Sequence, residues 1–155
     1  VLDIGIHMAD VLRWIVGEVD QIAALVDTWK PGIDVPDNVS ALFRFQNGAT
    51  GVLEMSWTLP AGAGLLEIYG TEGTLRTGFS SAPIELLKSV EGKVQTTNLE
   101  PDKDVKDSYA CFASAVLGEG EAPTTGEYGR RALALCDALM KSSESGQFVK
   151  VQHFS

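Results

Sequence analysis

The hydrophobic residues of this chain follow a helical period first and a strand period afterwards. Residues 7–16 carry apolar side chains at positions i, i+3, i+4 and i+7, which is the spacing of one helix face. Residues 22–27 and 39–46 instead alternate with a period of two, which predicts half-buried strands. Asn47-Gly48 is a strong hairpin signal, and residues 50–57 return as the partner strand.

Two further hairpins are predicted from turns that contain glycine, a residue that tolerates the backbone angles of tight turns. The paired strands are 65–70 with 73–77 and 84–89 with 93–97, and their turns lie around Glu72-Gly73 and Glu91-Gly92.

The helical period returns in the last third of the chain. Acidic N-cap candidates precede a predicted helix at about 105–117. Thr124 and Glu127 have the spacing of a capping box and predict the start of a longer helix. That helix should end at Gly146, and residues 148–151 form a last short strand.

This order of elements predicts the fold class. Tight hairpins imply antiparallel pairing, and helices grouped apart from a run of strands are typical of α+β folds. We therefore predict an open, predominantly antiparallel or mixed sheet of six to seven strands, with helices packed on one face. The opposite face carries Leu42 and Val52 among polar residues, so that either a partner subunit or solvent covers it.

Composition narrows the classes of partner. The 155 residues suggest one compact domain. The net charge of −9 argues against binding to nucleic acid or to an anionic membrane surface, which both select clustered Lys and Arg. No apolar run approaches the roughly 20 residues that span a bilayer. Cys111 and Cys136 form no CxxC pair and are interpreted as buried thiols in a reducing compartment, which favours a cytoplasmic location.

The opening segment contains the candidate chemistry. On a helical projection Asp3, His7 and Asp10 lie roughly 120° from the apolar stripe. Histidine exchanges protons near neutral pH, and a neighbouring carboxylate can orient it and raise its pKa, which makes a general acid/base unit. The structural alternative is a capping Asp3 beside a solvated His7 and Asp10. A metal site is not predicted, because the only other histidine, His153, lies near the end of the chain.

Four segments of the chain resemble the Gfo/Idh/MocA oxidoreductases, which include glucose–fructose oxidoreductase and inositol dehydrogenase. The opening LDIGIHMADVLRWIVGEV resembles the family's D-x-G-x-H-x-x-D segment. The other three follow in the family's order and extend the resemblance over nearly the whole chain: DNVSALFRFQNGATGVLEMSW, LEIYGTEGTLR and GEYGRRALALCDALMKSSESGQFVKV.

The resemblance implies a two-domain enzyme with an N-terminal Rossmann domain for NAD or NADP. This chain would correspond to the second domain, which holds a sugar or polyol substrate and forms dimers or tetramers through its open sheet. His7 matches the family's catalytic acid/base, Asp3 matches its carboxylate partner, and Asp10 matches a further acid near the substrate. Trp57, like Trp29, lies at a strand end and could stack on a sugar ring, with packing as the alternative.

The chain also departs from the family pattern. The family's catalytic lysine has no counterpart, since Lys30-Pro31 follows a strand in the wrong place. Gly62 and Gly64 lie in a predicted loop with no following helix, so they do not form a dinucleotide-binding turn. We therefore expect residues 1–155 to be the substrate-binding and oligomerisation domain of a longer protein, to bind no NAD(P) and to be inactive alone.

Two other functions remain open. The chain could be a stand-alone binding or dimerisation module without catalysis. It could also resemble the biliverdin reductases or dihydrodiol dehydrogenases of the same superfamily, which would imply a substrate that is not a sugar.

Overall fold

The computed structural model describes residues 4–61, 64–78, 83–100, 102 and 107–153. They form two compact units, which we call unit 1 (Val1–Leu59 with Gly118–Ser155) and unit 2 (Pro60–Leu117). The elements of unit 1 are α1 (Ile4–Val16), β1 (Val19–Asp27), β2 (Asn38–Phe45), β3 (Thr50–Ser56), α3 (Gly126–Ser145) and β8 (Val149–Lys150). Those of unit 2 are β4 (Leu65–Gly70), β5 (Gly73–Gly78), β6 (Ile84–Val90), β7 (Lys93–Leu99) and α2 (Ser108–Val116).

Unit 1 is an antiparallel sheet with helices on one face. Its strand order is β3-β2-β1-β8, and α3 packs on both β1 and α1. The predicted alternation in β2 is confirmed, since every second residue from Val39 to Phe45 is buried. The core combines both kinds of element, and its fully buried side chains include Val19, Ile22, Leu135 and Leu139.

The other face of this sheet is open and partly apolar, as the sequence predicted. Leu42 of β2 stands directly opposite Val52 of β3, and more than half of each residue's surface is exposed. Leu25 of β1 is exposed on the same sheet. Ser40, Arg44 and Glu54 provide polar groups around these residues.

Unit 2 is a four-stranded antiparallel meander in the order β4-β5-β6-β7. At the start of β5, a Cβ on Gly73 would lie 2.6 Å from the carbonyl oxygen of Leu87, so the backbone approach requires glycine. Arg76 and Glu85 form a cross-strand ion pair of 2.7 Å. Helix α2 begins after Asp107, whose carboxylate accepts a hydrogen bond from the backbone N–H of Ala110 at 2.8 Å.

The α+β class and the antiparallel pairing are confirmed, with eight described strands divided between two sheets of four. The sequence had suggested a single sheet of six to seven. The run of hairpins is interrupted after β3. The backbone N–H of Thr58 donates to the Ser56 hydroxyl instead of to a neighbouring strand, and Pro60 has no N–H for a strand hydrogen bond.

The predicted capping box is wrong. Helix α3 begins one residue later, with Thr125 as its N-cap and no side-chain capping bond. The Glu127 carboxylate accepts from Arg130 and Arg131 instead of reaching back to the helix start. The predicted end is confirmed, because Gly146 adopts the left-handed conformation with φ of 66°. Among the described helices, none combines the length and the apolar character needed to cross a bilayer.

Candidate functional site

Helix α1 carries the candidate acid/base segment. It begins at Ile4, and Asp3 lies outside the described residues. His7 stands in the first turns of the helix with its side chain exposed. The imidazole is therefore accessible from solvent.

Asp10 is engaged by a neighbour that the sequence analysis did not single out. The side chain of Arg13 is only 5% exposed, and its Nη1 lies 3.2 Å from the Asp10 carboxylate. The other side of the guanidinium donates to Glu18 through Nε at 3.1 Å and Nη2 at 2.7 Å. This bidentate hydrogen bond holds the Arg13 guanidinium in place, and the guanidinium in turn restrains the Asp10 carboxylate.

The network continues onto α3. Glu18 also accepts from Arg131 at 3.2 Å, and Arg131 bonds Glu127 at 2.8 Å. The Arg13 guanidinium lies 6.0 Å from the ring centroid of Tyr128. The hydrogen bond from Arg13 lowers the pKa of Glu18, against an opposing effect of burial. The C-terminal end of α1 is thereby tied to the N-terminal half of α3.

A cavity of about 680 Å³ lies within unit 1, and it includes one of the predicted substrate residues. Trp57, which is 58% exposed, lines it together with Gly5 of α1. The remaining walls come from the β1–β2 connection, the end of β3 and the outer side of α3. They are largely apolar, and their members include Ile33, Val35, Met55, Leu133 and Met140.

Asp37 organises the connection on one side of this cavity. Although buried, its carboxylate accepts from the backbone N–H groups of Trp29 and Lys30, each at 2.8 Å, and from Asn38 Nδ2 at 2.7 Å. Burial would raise the pKa of Asp37, but these hydrogen bonds outweigh it and lower that pKa. The backbone N–H of Trp57 donates to the Asp37 carbonyl at 2.9 Å, which positions the tryptophan at the cavity.

The structure does not gather all the predicted site residues in one place. Trp57 lines the cavity, whereas His7 and Asp10 are not among its lining residues. Gly5 and His7 are two residues apart, which is about 200° around a helix, so they leave α1 on different sides. Within the described ranges, no three His, Cys, Asp or Glu side chains are grouped as a metal site.

The described strands offer no dinucleotide site either. All the strand pairs formed between described residues are antiparallel. A Rossmann-type site needs parallel strands with a glycine-rich turn that leads into a helix. The described strands therefore do not form a Rossmann-type dinucleotide site.

The sequence of this chain is similar to one family model and to several curated proteins. Residues 1–76 match the sequence model of the GFO/IDH/MocA C-terminal domain. The chain is 31% identical to 1,5-anhydro-D-fructose reductase from Ensifer adhaerens, over 98% of this chain and 47% of that protein. It is 26% identical to D-apiose dehydrogenase from Rhizobium rhizogenes, over 96% of this chain and 48% of that protein. The chain spans about half the length of these curated relatives.

Solved structures share the fold. Levoglucosan dehydrogenase in complex with NADH superposes with a TM-score of 0.83 at 22% identity, over 98% of this chain and 50% of that one. The complex of the same enzyme with NADH and L-sorbose gives a TM-score of 0.81 at the same identity and coverage.

Proposed function

We propose that this chain, whose residues 1–76 match the GFO/IDH/MocA C-terminal domain, binds the substrate of an NAD(P)-dependent oxidoreductase. The substrate is a sugar, a polyol or a related compound with a CH–OH group. The names of the two curated relatives and the NADH in a similar solved structure support this assignment. The observation that carries it is the sequence of the segment from Asp3 to Asp10, which supplies a proton acceptor and two carboxylates, together with the exposure of His7 on α1.

In this proposal each residue of the segment from Asp3 to Asp10 that carries a polar side chain has a separate role. His7 takes the proton of the substrate hydroxyl during oxidation and returns it during reduction, and Asp3 orients the imidazole. The N-terminal end of α1 favours the negative charge that develops on the substrate oxygen. Asp10, restrained by Arg13, accepts from a second substrate hydroxyl, and Trp57 packs against the substrate.

Replacement of His7 in the whole protein tests the proposal. His7→Asn should lower kcat on the best sugar or polyol substrate by about 10²–10⁴, with a smaller change in KM, because general acid/base catalysis contributes that much. His153→Asn is the matched control, since it removes the only other histidine, which contacts Gln46 at 3.0 Å. Steady-state kinetics across a panel of CH–OH substrates gives the measurement. Unchanged turnover by His7→Asn would overturn the acid/base role.

The chain alone should have no dehydrogenase activity, because its described residues do not form the cofactor site. An NADH fluorescence titration of the 155-residue chain should show no saturable binding, whereas the whole protein should bind. A whole protein without NAD(P)-dependent turnover on any substrate would favour the stand-alone binding module instead.

The open sheet face of unit 1 is the proposed interface of a dimer or tetramer. Leu25, Leu42 and Val52 present an exposed apolar patch there. Leu42→Asp should dissociate the oligomer, because a carboxylate would be desolvated in the interface. Val94→Asp on β7 is the control, since Val94 is 71% exposed in unit 2. Light scattering would contradict the proposal if wild type were a monomer or if both variants kept the same oligomeric mass.

A further inference from the structure

The cavity of unit 1 has the dimensions of a ligand site. Its volume of about 680 Å³ lies within the range of roughly 300–1,000 Å³ that is usual for small-molecule pockets. Two methionine side chains, Met55 and Met140, line it, and their flexible thioethers adapt to irregular apolar shapes. Trp57 adds an aromatic surface. Concave shape and apolar walls favour a small molecule as occupant.

The carboxylates and the hydroxyl group at the cavity are already engaged within the protein. The Asp37 carboxylate accepts three hydrogen bonds. The Ser56 hydroxyl is bonded to Thr58. Asp137 is paired with Lys141 at 2.6 Å. A ligand therefore finds few uncommitted partners for its own polar groups.

This arrangement opposes a bare sugar as the occupant of the cavity. A sugar ring presents hydroxyl groups on nearly every carbon, and burying a hydroxyl without a hydrogen bond is unfavourable. It also opposes a charged group, because the two acids of the cavity have protein partners and the exposed Lys30 can keep its ammonium in water while its aliphatic stem lines the wall. An uncharged apolar group avoids both costs.

We infer that the cavity between α1, the β1–β2 connection, the end of β3 and α3 binds an uncharged, mainly apolar group. The next step rests on the proposed function: the apolar group is a substituent of the CH–OH substrate. The substrate class is then a glycoside or an alcohol with an apolar part. Trp57 links the two, because the proposed function places it against the substrate and it also lines the cavity.

Methionine methyl NMR of the 155-residue chain tests the cavity directly. The chain has three methionines, of which Met55 and Met140 line the cavity and Met8 does not. Cyclohexanol should shift the Met55 and Met140 methyl signals in a saturable way and leave Met8 unchanged. myo-Inositol has the same ring with six hydroxyl groups, and it should bind at least about tenfold more weakly.

Variants of the cavity wall supply the controls. Leu133→Lys places a charge at the cavity on a residue that is 49% exposed, so the fold should tolerate it. It should weaken cyclohexanol binding by about tenfold or more. Val94→Lys, at a residue 71% exposed on β7 of unit 2 and outside the cavity, should leave binding unchanged. Val35→Lys in the β1–β2 connection is a second cavity variant, with the same expected loss, if Leu133→Lys melts early.

The outcomes separate this inference from the proposed function. Equal shifts of all three methyl signals, equal binding of cyclohexanol and myo-inositol, or unchanged binding in both cavity variants would overturn the site. If the Met55 and Met140 methyl signals shifted on dilution without ligand, a second copy of the chain would be the occupant of the cavity. That result would also overturn the small-molecule site. If phenyl β-D-glucopyranoside bound no more tightly than methyl β-D-glucopyranoside, the substrate class would be wrong while the cavity site stood. Loss of turnover in His7→Asn bears only on the proposed function.

Discussion

Unit 1 and unit 2 are both built on a four-stranded antiparallel sheet, but only one of them has a closed core. All the buried hydrophobic residues among those described belong to unit 1, where α1 and α3 cover one sheet face. The described strand residues of β4 to β7 are half-buried or exposed, and α2 has no buried residue. The same strand geometry thus occurs with and without a covering layer of helices.

The difference shows where the stability of each unit comes from. Unit 1 gains from the removal of apolar surface from water, which is the largest favourable term in folding. Unit 2 depends more on backbone pairing, tight turns and cross-strand contacts such as Arg76 with Glu85. The candidate chemistry lies on unit 1, since precise placement of side chains needs a rigid support.

The largest contrast is expected from a matched pair of Leu→Ala changes. Leu139 of α3 is fully buried in unit 1, whereas Leu75 of β5 is 37% exposed in unit 2. Leu139→Ala should reduce the free energy of unfolding by about 2–5 kcal/mol, because it leaves a cavity. Leu75→Ala should cost about 1 kcal/mol or less.

Separate probes can follow the two units. Hydrogen exchange of the β1–β3 amides reports the unfolding of unit 1, because the tryptophans of that unit are largely exposed and would change little in fluorescence. Hydrogen exchange of the β4–β7 amides reports unit 2. Equal costs for the two leucine changes would remove the distinction between the units.

Ion pairs should show a smaller contrast. Arg13→Met removes a buried guanidinium between Asp10 and Glu18, and should cost unit 1 about 1–3 kcal/mol at pH 7 because Glu18 keeps Arg131. Arg76→Met breaks a half-buried pair in unit 2, which is more exposed than Arg13, and should cost less.

The cost of Arg13→Met should also depend on pH in a stated direction. The pKa of Glu18 is lowered in the folded state, so its contribution is complete above the ordinary value of 4.5 and is lost as pH falls through the folded pKa. The difference between wild type and Arg13→Met should therefore shrink in acid. Urea unfolding at pH 7 and pH 4 measures it, and a difference that grew in acid would show that Glu18 is not the partner that matters.

The smallest effect is expected at the helix starts. Asp107→Ala removes a capping bond from α2 in unit 2 and should cost about 1 kcal/mol of local stability. Thr125→Ala at the start of α3 removes no side-chain capping bond and should change little. Hydrogen exchange of the first helical turns compares them, and equal effects would mean that the capping bond contributes nothing.

Most elements could be predicted because their signals are local. The alternation through Phe43 and Phe45 and the turn at Asn47-Gly48 each depend on a few neighbouring residues. The division into two sheets could not be predicted, because periodicity tells which face a residue occupies and not which distant strand it joins. Strand β8 pairs with β1 through Gln21 and Lys150, which are far apart in sequence.

Some residues of the candidate site could likewise be identified from local sequence, and others could not. The segment with His7 and Asp10 is a candidate from its spacing and its resemblance to a family, and its role stays a prediction. Arg13 was missed because it looks like any surface arginine of a helix, and its burial depends on Glu18 beyond the helix end and on Tyr128 of α3. Asp37 was missed because its backbone donors lie seven and eight residues earlier.

The discontinuity of unit 1 bears on how the chain is made. Helix α1 and the strands β1 to β3 come from the first 59 residues, but α3 and the fourth strand, β8, follow only after the 58 residues from Pro60 to Leu117. At about 5–20 residues per second, a ribosome needs roughly 3–12 s to synthesise that insert. Throughout this delay the apolar face of the nascent β1–β3 sheet has no α3 to cover it, which makes it a natural target for a chaperone that binds newly made chains.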